Sequence, residues 1–397
     1  MVNWILGDLF TKDFGHHGST KTLWETRWKF PCSLGVYPFH DSQKHLEDFE
    51  PAFQKLIEDK INGPYDDAWT HPFLPTATSL VSQADALAST DKPAAISLYK
   101  RANAVFRIAR FPYVNGSPLK LDVYERQKKA YLKGAALWDV PLREEVIEHV
   151  HKAEGDGGEI PLYVRFPKAE EGKKTPVLLL ITGLDGHRPD NSERTDEFLA
   201  RGWATVICDI PGVADCPALK TDPTSPDRLF TSILDWIAAQ PSLDASKVIA
   251  WGLSAGGYYA IRLAHTHASK LVGAVGHGAG THHYIGAEWL AQIDKHEYPF
   301  SLKKPYLMKY GYDTWEDLLE TCQKRFSLVE TGILEMKSCR LLLVNGVLDG
   351  CMPVEDSMLL AEYGRPKEMR FVKGRAHMGY PEANSIVFPW LEEVMGE

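Results

Sequence analysis

Downstream of residue 145 the chain alternates short apolar runs with amphipathic stretches, and this pattern constrains the fold more than any other feature. The apolar runs have the length and composition of buried strands, and they lie at 176–182, 204–210, 247–252, 271–276, 340–346 and 368–373. Stretches with helical spacing lie at 192–201, 226–240, 255–268 and 381–395. Strands joined by helices form parallel sheets through right-handed crossovers. The sequence therefore predicts an α/β fold with a mostly parallel sheet and helices on both faces.

Residues 1–144 differ in character, because helical spacing and aromatic side chains replace the strand pattern. Helices are predicted over 42–62, with Asp41 as the N-cap, and over 78–90, 92–110 and 119–139. We therefore predict two domains, a helical one at 1–144 and a catalytic one at 145–397. The Trp and Phe residues near the N-terminus either fill a helical core or form a wall for a large apolar substrate, and the second reading makes this domain a substrate-binding cap.

The composition excludes several classes of protein. With 44 Lys and Arg residues against 53 Asp and Glu, the formal net charge is −9, so the broad positive surface that binds nucleic acid is missing. No run reaches the roughly 20 apolar residues of a membrane span, and the N-terminus lacks the basic start of a signal peptide. The six cysteines contain no CxxC pair, which indicates reduced thiols. We expect a cytoplasmic protein that acts on a small molecule.

A nucleophile motif follows the strand-like run 247–252. Residues Gly252–Gly256 read GLSAG and open a helical stretch, so they form a GxSxG pattern at a strand–turn–helix junction. The flanking glycines are needed because strand and helix approach too closely there for side chains. Such a turn holds the serine above the sheet at the positive end of the helix, where developing negative charge is stabilised. Ser254 is therefore the predicted catalytic nucleophile.

The partners of such a serine follow as an acid and then a histidine. Asp349 comes after the run 340–346, and His377 comes after the run 368–373. Like Ser254, both follow the carboxyl ends of predicted parallel strands, and these ends meet at one edge of the sheet. We predict that His377 takes the proton of Ser254 and later protonates the leaving group, while Asp349 orients the imidazole.

An oxyanion hole needs two convergent backbone N–H donors. One is predicted at Ala255, directly after the nucleophile. The second is predicted at Leu184, in the loop after the run 176–182, where Gly183 lets the backbone turn its N–H groups inward. Gly183 and Asp185 are also candidates for substrate contact, although Asp185 could instead brace the loop.

Three further side chains are weaker candidates for substrate binding. His277 follows the run 271–276 at the same edge of the sheet, where it either lines the pocket or packs within a loop. Residues 282–335 form an insertion between two predicted strands, which is the usual place for helices of a lid. Trp289 and Tyr306 in this insertion are candidates for contact with the substrate.

Paired histidines suggest a metal site, but their spacing does not favour one. His16-His17 and His282-His283 stand without the HExxH or paired-cysteine spacing that zinc sites use. We therefore expect no metal. The serine and the oxyanion donors supply the chemistry, so no cofactor is expected either.

The motifs resemble those of a known family. On the elbow Gly252–Gly256, the acid loop Asp349–Pro353 and the loop of His377, residues 145–397 resemble an α/β-hydrolase. The segments AISLYKRANAVFRIARFP and LLITGLDGHRPDNSER are similar to a subgroup of that fold. It includes bacterial 2,6-dihydroxypseudooxynicotine hydrolase and the fungal yellowish-green polyketide-shortening hydrolases. The likeness covers nearly the whole chain and is nearest to the fungal branch, although GLDG replaces the His-Gly pair of ordinary esterases.

This resemblance implies a particular reaction. Enzymes of the fungal branch remove a side chain from a heptaketide naphthopyrone by cleaving a carbon–carbon bond, which gives 1,3,6,8-tetrahydroxynaphthalene for melanin and other pigments. It implies the same triad, Ser254, Asp349 and His377, and makes a homodimer through the helical domain plausible. A carboxylesterase or a polyketide acyltransferase with the same triad is the alternative within enzymes, and a catalytically inactive binding protein is the alternative outside them.

Overall fold

The computed structural model describes residues 2–168 and 172–396. Within them, one sheet is formed by the strands Arg143–Glu148 (β1), Glu159–Arg165 (β2), Thr175–Ile181 (β3), Ala204–Cys208 (β4), Leu243–Leu253 (β5), Gly273–His277 (β6), Arg340–Gly346 (β7) and Glu368–Val372 (β8). Their order is β1-β2-β4-β3-β5-β6-β7-β8. The β2–β4 pair is antiparallel, and the pairs from β4 to β8 are parallel. The predicted α/β class with a mostly parallel sheet is confirmed.

The α-helices fall into three groups along the chain. The N-terminal region contains Thr20–Leu23 (α1), Lys29–Leu34 (α2), Glu50–Glu58 (α3), Asp67–Thr70 (α4), Leu74–Leu87 (α5), Lys92–Arg110 (α6) and Pro118–Ala135 (α7). Between strands lie Ser192–Ala200 (α8), Ser225–Ala239 (α9) and Ala255–Thr266 (α10). The predicted insertion 282–335 is helical, and it and the C-terminal part contain Ala287–Leu290 (α11), Lys303–Tyr310 (α12), Trp315–Phe326 (α13), Val354–Leu359 (α14) and Asn384–Gly396 (α15). None of the helices in the described residues is long and apolar enough to cross a bilayer.

The register of the parallel strands brings their carboxyl ends to one edge. Ile181 at the end of β3 pairs with Gly252 of β5, and Gly252 pairs with Gly276 of β6. Gly346 at the end of β7 pairs with Val372 at the end of β8. Loops that follow these strands therefore start side by side, which is the arrangement that the sequence required for a shared site.

The chain divides into two compact units. The first, here called the sheet unit, comprises Met1–Asp13, Glu145–Leu184 and Glu197–Glu397, and the second, the helical unit, comprises Phe14–Glu144 and Asp185–Asp196. Two segments therefore cross the boundary that we predicted at 144/145. The first thirteen residues belong to the sheet unit, and a short segment after β3 belongs to the helical unit.

Aromatic side chains fill the core of the helical unit. Trp24 stacks on Phe53 with ring centroids 4.0 Å apart, and Trp28 meets the edges of Phe39, Phe53, Trp69 and Phe111. All of these rings are buried. Of the two readings of the N-terminal aromatics, the one in which they fill a core is confirmed for this cluster.

The helix predicted over 42–62 is wrong in its first half, because α-helix begins only with α3. The residues before it include three non-glycine positions with positive φ, which a helix does not tolerate: Asp41, Gln43 and Lys44. Asp41 is therefore no N-cap. Its buried carboxylate instead accepts hydrogen bonds from Asn103 Nδ2 at 3.0 Å and Ser192 Oγ at 2.9 Å. This side chain links two parts of the helical unit that local periodicity does not relate.

A buried ionic network anchors the segment Asp185–Asp196 in the helical unit. The guanidinium group of Arg110 donates to Asp190 Oδ2 at 2.5 Å and to the carbonyl oxygen of Asp185 at 3.0 Å. Arg107 lies 3.3 Å from the same carboxylate. Burial alone would raise the pKa of Asp190, but Arg107 and Arg110 hold this pKa well below its ordinary value. The carboxylate therefore stays ionised, as a pair buried away from water requires.

The sheet unit buries a lysine, Lys309 of α12. Its Nζ donates to the carbonyl oxygen of Pro211 and to the hydroxyl of Tyr259, both at 2.8 Å, and it lies 5.0 Å from the ring centroid of Tyr310. Burial lowers the pKa of Lys309 to about 7. No carboxylate offsets this shift in the part of the chain that the structure describes. Folding at neutral pH therefore tends to remove the proton that the unfolded lysine keeps.

This lysine predicts a pH dependence of stability. Between the folded pKa near 7 and the unfolded value of about 10.4, the unfolded chain binds more protons. The free energy of unfolding should therefore rise with pH relative to Lys309→Met, by at most about 1.4 kcal/mol per pH unit. Urea unfolding at several pH values in this window measures the difference. Lys303→Met, on the same helix with a half-exposed side chain, should parallel the wild type, and a pH-independent gap for Lys309→Met would contradict the prediction.

Candidate active site

The turn between β5 and α10 has the strained geometry of a nucleophile elbow. Ser254 has φ 56° and ψ −122°, a conformation that non-glycine residues rarely adopt. A Cβ atom on Gly252 would lie 2.1 Å from the carbonyl oxygen of Gly256, and one on Gly256 would lie 2.2 Å from that of Thr182. Both positions therefore require glycine. The amide of Ser254 donates to the carbonyl oxygen of His277 at 2.8 Å, which ties the turn to β6.

The three residues predicted to act together are brought together. His377 Nε2 lies 2.8 Å from Ser254 Oγ, and His377 Nδ1 lies 2.7 Å from Asp349 Oδ2. Because a carboxylate only accepts, Nδ1 carries the proton, and Nε2 is left to accept from the serine hydroxyl. The carboxylate is fully buried, whereas the histidine side chain is 17% exposed. In this tautomer, His377 can take up the proton of the Ser254 hydroxyl.

The acid is fixed by the loop that follows β7. Its second oxygen, Asp349 Oδ1, accepts from the amides of Cys351 at 2.7 Å and Met352 at 2.8 Å. Its first oxygen, Oδ2, accepts from His377 Nδ1. Both oxygens are therefore occupied, and the carboxylate has one orientation toward His377.

A buried histidine, His277, contacts the loop that carries His377. His277 is fully buried, its ring is stacked on Trp251 at 6.0 Å, and its Nε2–H donates to the carbonyl oxygen of Met378 at 2.6 Å. Met378, the residue after the base, has φ 71°. This hydrogen bond therefore stabilises a turn whose backbone conformation is unfavourable for a non-glycine residue. We assign His277 to support of the histidine loop, the packing alternative of the two that the sequence left open.

Glu297 is a buried carboxylate of the insertion that no sequence motif singles out. Its Oε2 accepts from the amide of Gly350 and from the amide of His377, both at 2.9 Å. One oxygen thus joins the loop of the acid to the loop of the base. Its position inside an insertion, remote in sequence from both loops, left no local motif by which it could have been found.

The predicted oxyanion donors flank the serine. Ala255 opens α10 directly after the nucleophile, and both it and Leu184 are buried. A Cβ atom on Gly183 would lie 3.4 Å from Ser254 Cβ and 3.9 Å from its Oγ, so the loop after β3 passes beside the nucleophile. Among the described residues, neither the amide of Leu184 nor that of Ala255 donates to a protein oxygen. These two N–H groups are therefore available to an oxyanion.

The remaining candidates for substrate contact have different surroundings. Asp185 accepts from the hydroxyl of Tyr37 at 2.6 Å and lies 3.5 Å from Arg107, so its carboxylate braces the helical unit. Trp289 is fully buried in an aromatic cluster, and we assign it to packing. Tyr306 is also buried, which raises its pKa well above the ordinary value and keeps its hydroxyl protonated.

Among the described residues, one group of potential metal ligands lies close together, and it overlaps the predicted triad. Oxygen, sulfur and nitrogen atoms of Asp349, Cys351 and His377 lie within 4.8 Å of one another. Two of these residues already share a hydrogen bond, so a metal would compete with the pairing of acid and base. The pairs His16-His17 and His282-His283 belong to no such cluster in residues 2–168 and 172–396.

The double acceptor role of Glu297 predicts a catalytic defect on its removal. Glu297→Gln keeps the size of the side chain but replaces charge-assisted hydrogen bonds with weaker neutral ones, and we expect kcat to fall about tenfold with little change in KM. Steady-state kinetics on an activated ester measure both constants. Glu316→Gln, an exposed acid of the same insertion, is the matched control. An unchanged kcat in Glu297→Gln would refute the role.

Comparison with solved structures identifies the fold. The structure superposes on 2,6-dihydroxy-pseudo-oxynicotine hydrolase with a TM-score of 0.67 and 18% identity, covering 93% of this chain and 94% of that one. AbyA5 gives a TM-score of 0.63 and 20% identity, covering 81% and 88%. The predicted α/β-hydrolase fold with an N-terminal helical region is confirmed.

Comparison of sequences identifies the family. An esterase FrsA from Photorhabdus laumondii subsp. laumondii is 24% identical over 90% of this chain and 84% of its own length. An esterase FrsA from Yersinia pestis is 22% identical over 79% and 74%. The family model described as esterase FrsA-like matches residues 53–396, which is most of the chain. The chain therefore belongs to the FrsA-like esterase family, whose members are hydrolases.

Proposed function

We propose that the protein is a serine hydrolase in which Ser254, His377 and Asp349 form the catalytic triad. The observation that carries this proposal is the continuous hydrogen-bonded path from Ser254 Oγ through both ring nitrogens of His377 to Asp349, at 2.8 and 2.7 Å. It stands at a strained elbow, which costs folding free energy and is rarely kept without a function. Leu184 and Ala255 supply the oxyanion hole.

The reaction begins with proton transfer. His377 Nε2 takes the proton of Ser254 as its oxygen attacks a carbonyl carbon of the substrate. The tetrahedral oxyanion is stabilised by the two backbone N–H groups, and its charge develops at the positive end of α10. Collapse breaks the bond to the leaving group, which receives the proton from Nε2. Water, deprotonated by His377, then hydrolyses the acyl-serine to a carboxylic acid.

The bond that we propose is cleaved is a carbon–carbon bond of an aromatic polyketide such as a heptaketide naphthopyrone. In a β-dicarbonyl substrate the leaving group is an enolate, so the step is a retro-Claisen cleavage. An enolate leaves readily only when its charge is delocalised, which a polyphenolic ring provides. The sequence resemblance to fungal polyketide-shortening hydrolases supports this substrate class, and melanin or pigment synthesis would use the tetrahydroxynaphthalene product.

The second candidate is a carboxylesterase with the same triad, or a polyketide acyltransferase. The observation that favours the esterase is that the curated relatives quoted above bear the name esterase FrsA. The two chemistries share every step up to collapse of the oxyanion. They differ only in whether an alkoxide or an enolate leaves, which the triad itself does not decide.

The assignment of the nucleophile predicts the effect of one substitution. Ser254→Ala removes the attacking oxygen, and we expect kcat to fall by about 10⁴-fold or more. A fluorophosphonate probe should label the wild type, and mass spectrometry of its peptides should find the adduct on Ser254. Ser246→Ala, at an exposed position of β5, serves as the control and should label normally. Undiminished turnover in Ser254→Ala would sink the proposal.

The substrate proposal predicts a preference between two classes of compound. Incubation with naphthopyrones and β-diketones should give a shortened ring product and a short carboxylic acid, identified by mass spectrometry, while p-nitrophenyl acetate should be hydrolysed slowly. Rapid ester hydrolysis with intact β-diketones would instead establish the carboxylesterase. An ester product that forms only when an alcohol acceptor is supplied would establish the acyltransferase.

A further inference from the structure

The N-terminal segment is packed against the insertion of the sheet unit by aromatic contacts. The ring of Trp4 lies 5.1 Å from Phe10, in a stacked arrangement, and 5.1 Å from Trp289. Its Nε1–H donates to Glu288 at 3.1 Å, and the amide of Ile5 donates to the carboxylate of Glu355 on α14. Residues 2–13, here called the N-terminal strap, therefore span from the insertion to the helix that follows the acid loop.

A buried histidine joins the strap to the acid loop. His296 is fully buried, its Nε2 lies 2.7 Å from the carbonyl oxygen of Phe10, and its Nδ1 lies 3.1 Å from the carbonyl oxygen of Gly350. Gly350 is the residue next to Asp349. The next residue of the insertion is Glu297, which holds the amides of Gly350 and His377. The side chains of His296 and Glu297 therefore connect the strap, the acid loop and the base. Since both partners of His296 are carbonyl oxygens, the ring donates to both of them when each ring nitrogen carries a proton.

We propose that the N-terminal strap, acting through His296, is a positioning element of the triad. This inference rests on the proposed hydrolase function, because it concerns the placement of that triad. Docking of Trp4 and Phe10 fixes the carbonyl oxygen on which His296 aligns. His296 then holds the carbonyl group of Gly350, while Glu297 holds the N–H groups of Gly350 and His377.

The physical reason lies in how the acid loop is held. The carbonyl oxygen of Gly350 faces His296 and its N–H donates to Glu297, so the two peptide units on either side of the Gly350 Cα are held by adjacent residues of the insertion. Loss of either partner lets one of these peptides rotate, and the carboxylate of Asp349 moves with it. A displacement of a few tenths of an ångström at the acid misaligns the imidazole and lowers the rate of proton transfer without changing substrate binding.

A double-mutant cycle in the full-length protein tests the proposal. Trp4→Ala and His296→Phe should each lower kcat about tenfold and leave KM within about twofold. Because both substitutions act through one connection, kcat of the double variant should be no lower than that of the more impaired single variant. His296→Gln keeps one donor and Trp4→Phe keeps the aromatic packing, so each should recover part of the loss. Phe30→Ala, which removes an aromatic ring 72% exposed in the helical unit, is the control and should behave as wild type.

Two readouts separate this inference from the proposed function. The proton that His377 Nδ1 donates to Asp349 gives a low-field NMR resonance that needs no substrate, and it should shift or broaden in Trp4→Ala. A wild type that neither turns over esters nor reacts with fluorophosphonate would refute the hydrolase, but the resonance would still report on the strap. Unchanged kcat and an unchanged resonance in both single variants would overturn the positioning role. A lowered melting temperature with normal kcat, or effects that multiply in the double variant, would overturn it as well.

Discussion

The close approach of β5 and α10 at Ser254 is the constraint on which the rest of the site depends. No side chain fits at Gly252 or Gly256, so the chain passes through a conformation in which the serine points away from the sheet. A hydroxyl fixed in this way sets where the base must stand, and the base sets where the acid must stand. The parallel sheet places the loops of Asp349 and His377 near the serine but does not fix their conformation. The hydrogen bonds of His277 and Glu297 restrain these loops.

Much of this could be predicted because it is encoded locally. Strands and helices of the sheet unit have periodic patterns, and the serine, acid and histidine each follow a strand directly, so topology alone unites them. The roles of Asp41 and Glu297 could not be predicted, because each depends on contacts with residues far away in the chain. The same holds for residues 2–13, which precede the helical unit in the chain but whose partners lie in the insertion and on α14. Local sequence patterns do not encode contacts between residues that are far apart in the chain.

The buried polar groups differ in how their burial is accommodated and in what they do. In the helical unit, Asp190 lies beside two arginines that hold its pKa well below the ordinary value, so its carboxylate stays ionised across a wide pH range. Lys309 in the sheet unit is buried without such a counterion among the described residues, and its position is tolerated through loss of a proton. Glu297 accepts hydrogen bonds from two backbone amides that belong to the loops of the site.

The strap has a consequence for synthesis of the chain. Phe10 and His296 are separated by 286 positions, so the strap finds this partner only after the residues between them have been synthesised. Residues of the helical unit are made in between and can begin to associate earlier. His377 lies further along the chain than His296, so the hydrogen bonds around it form later still. A chain that stops before residue 377 contains Ser254 but lacks the proposed base.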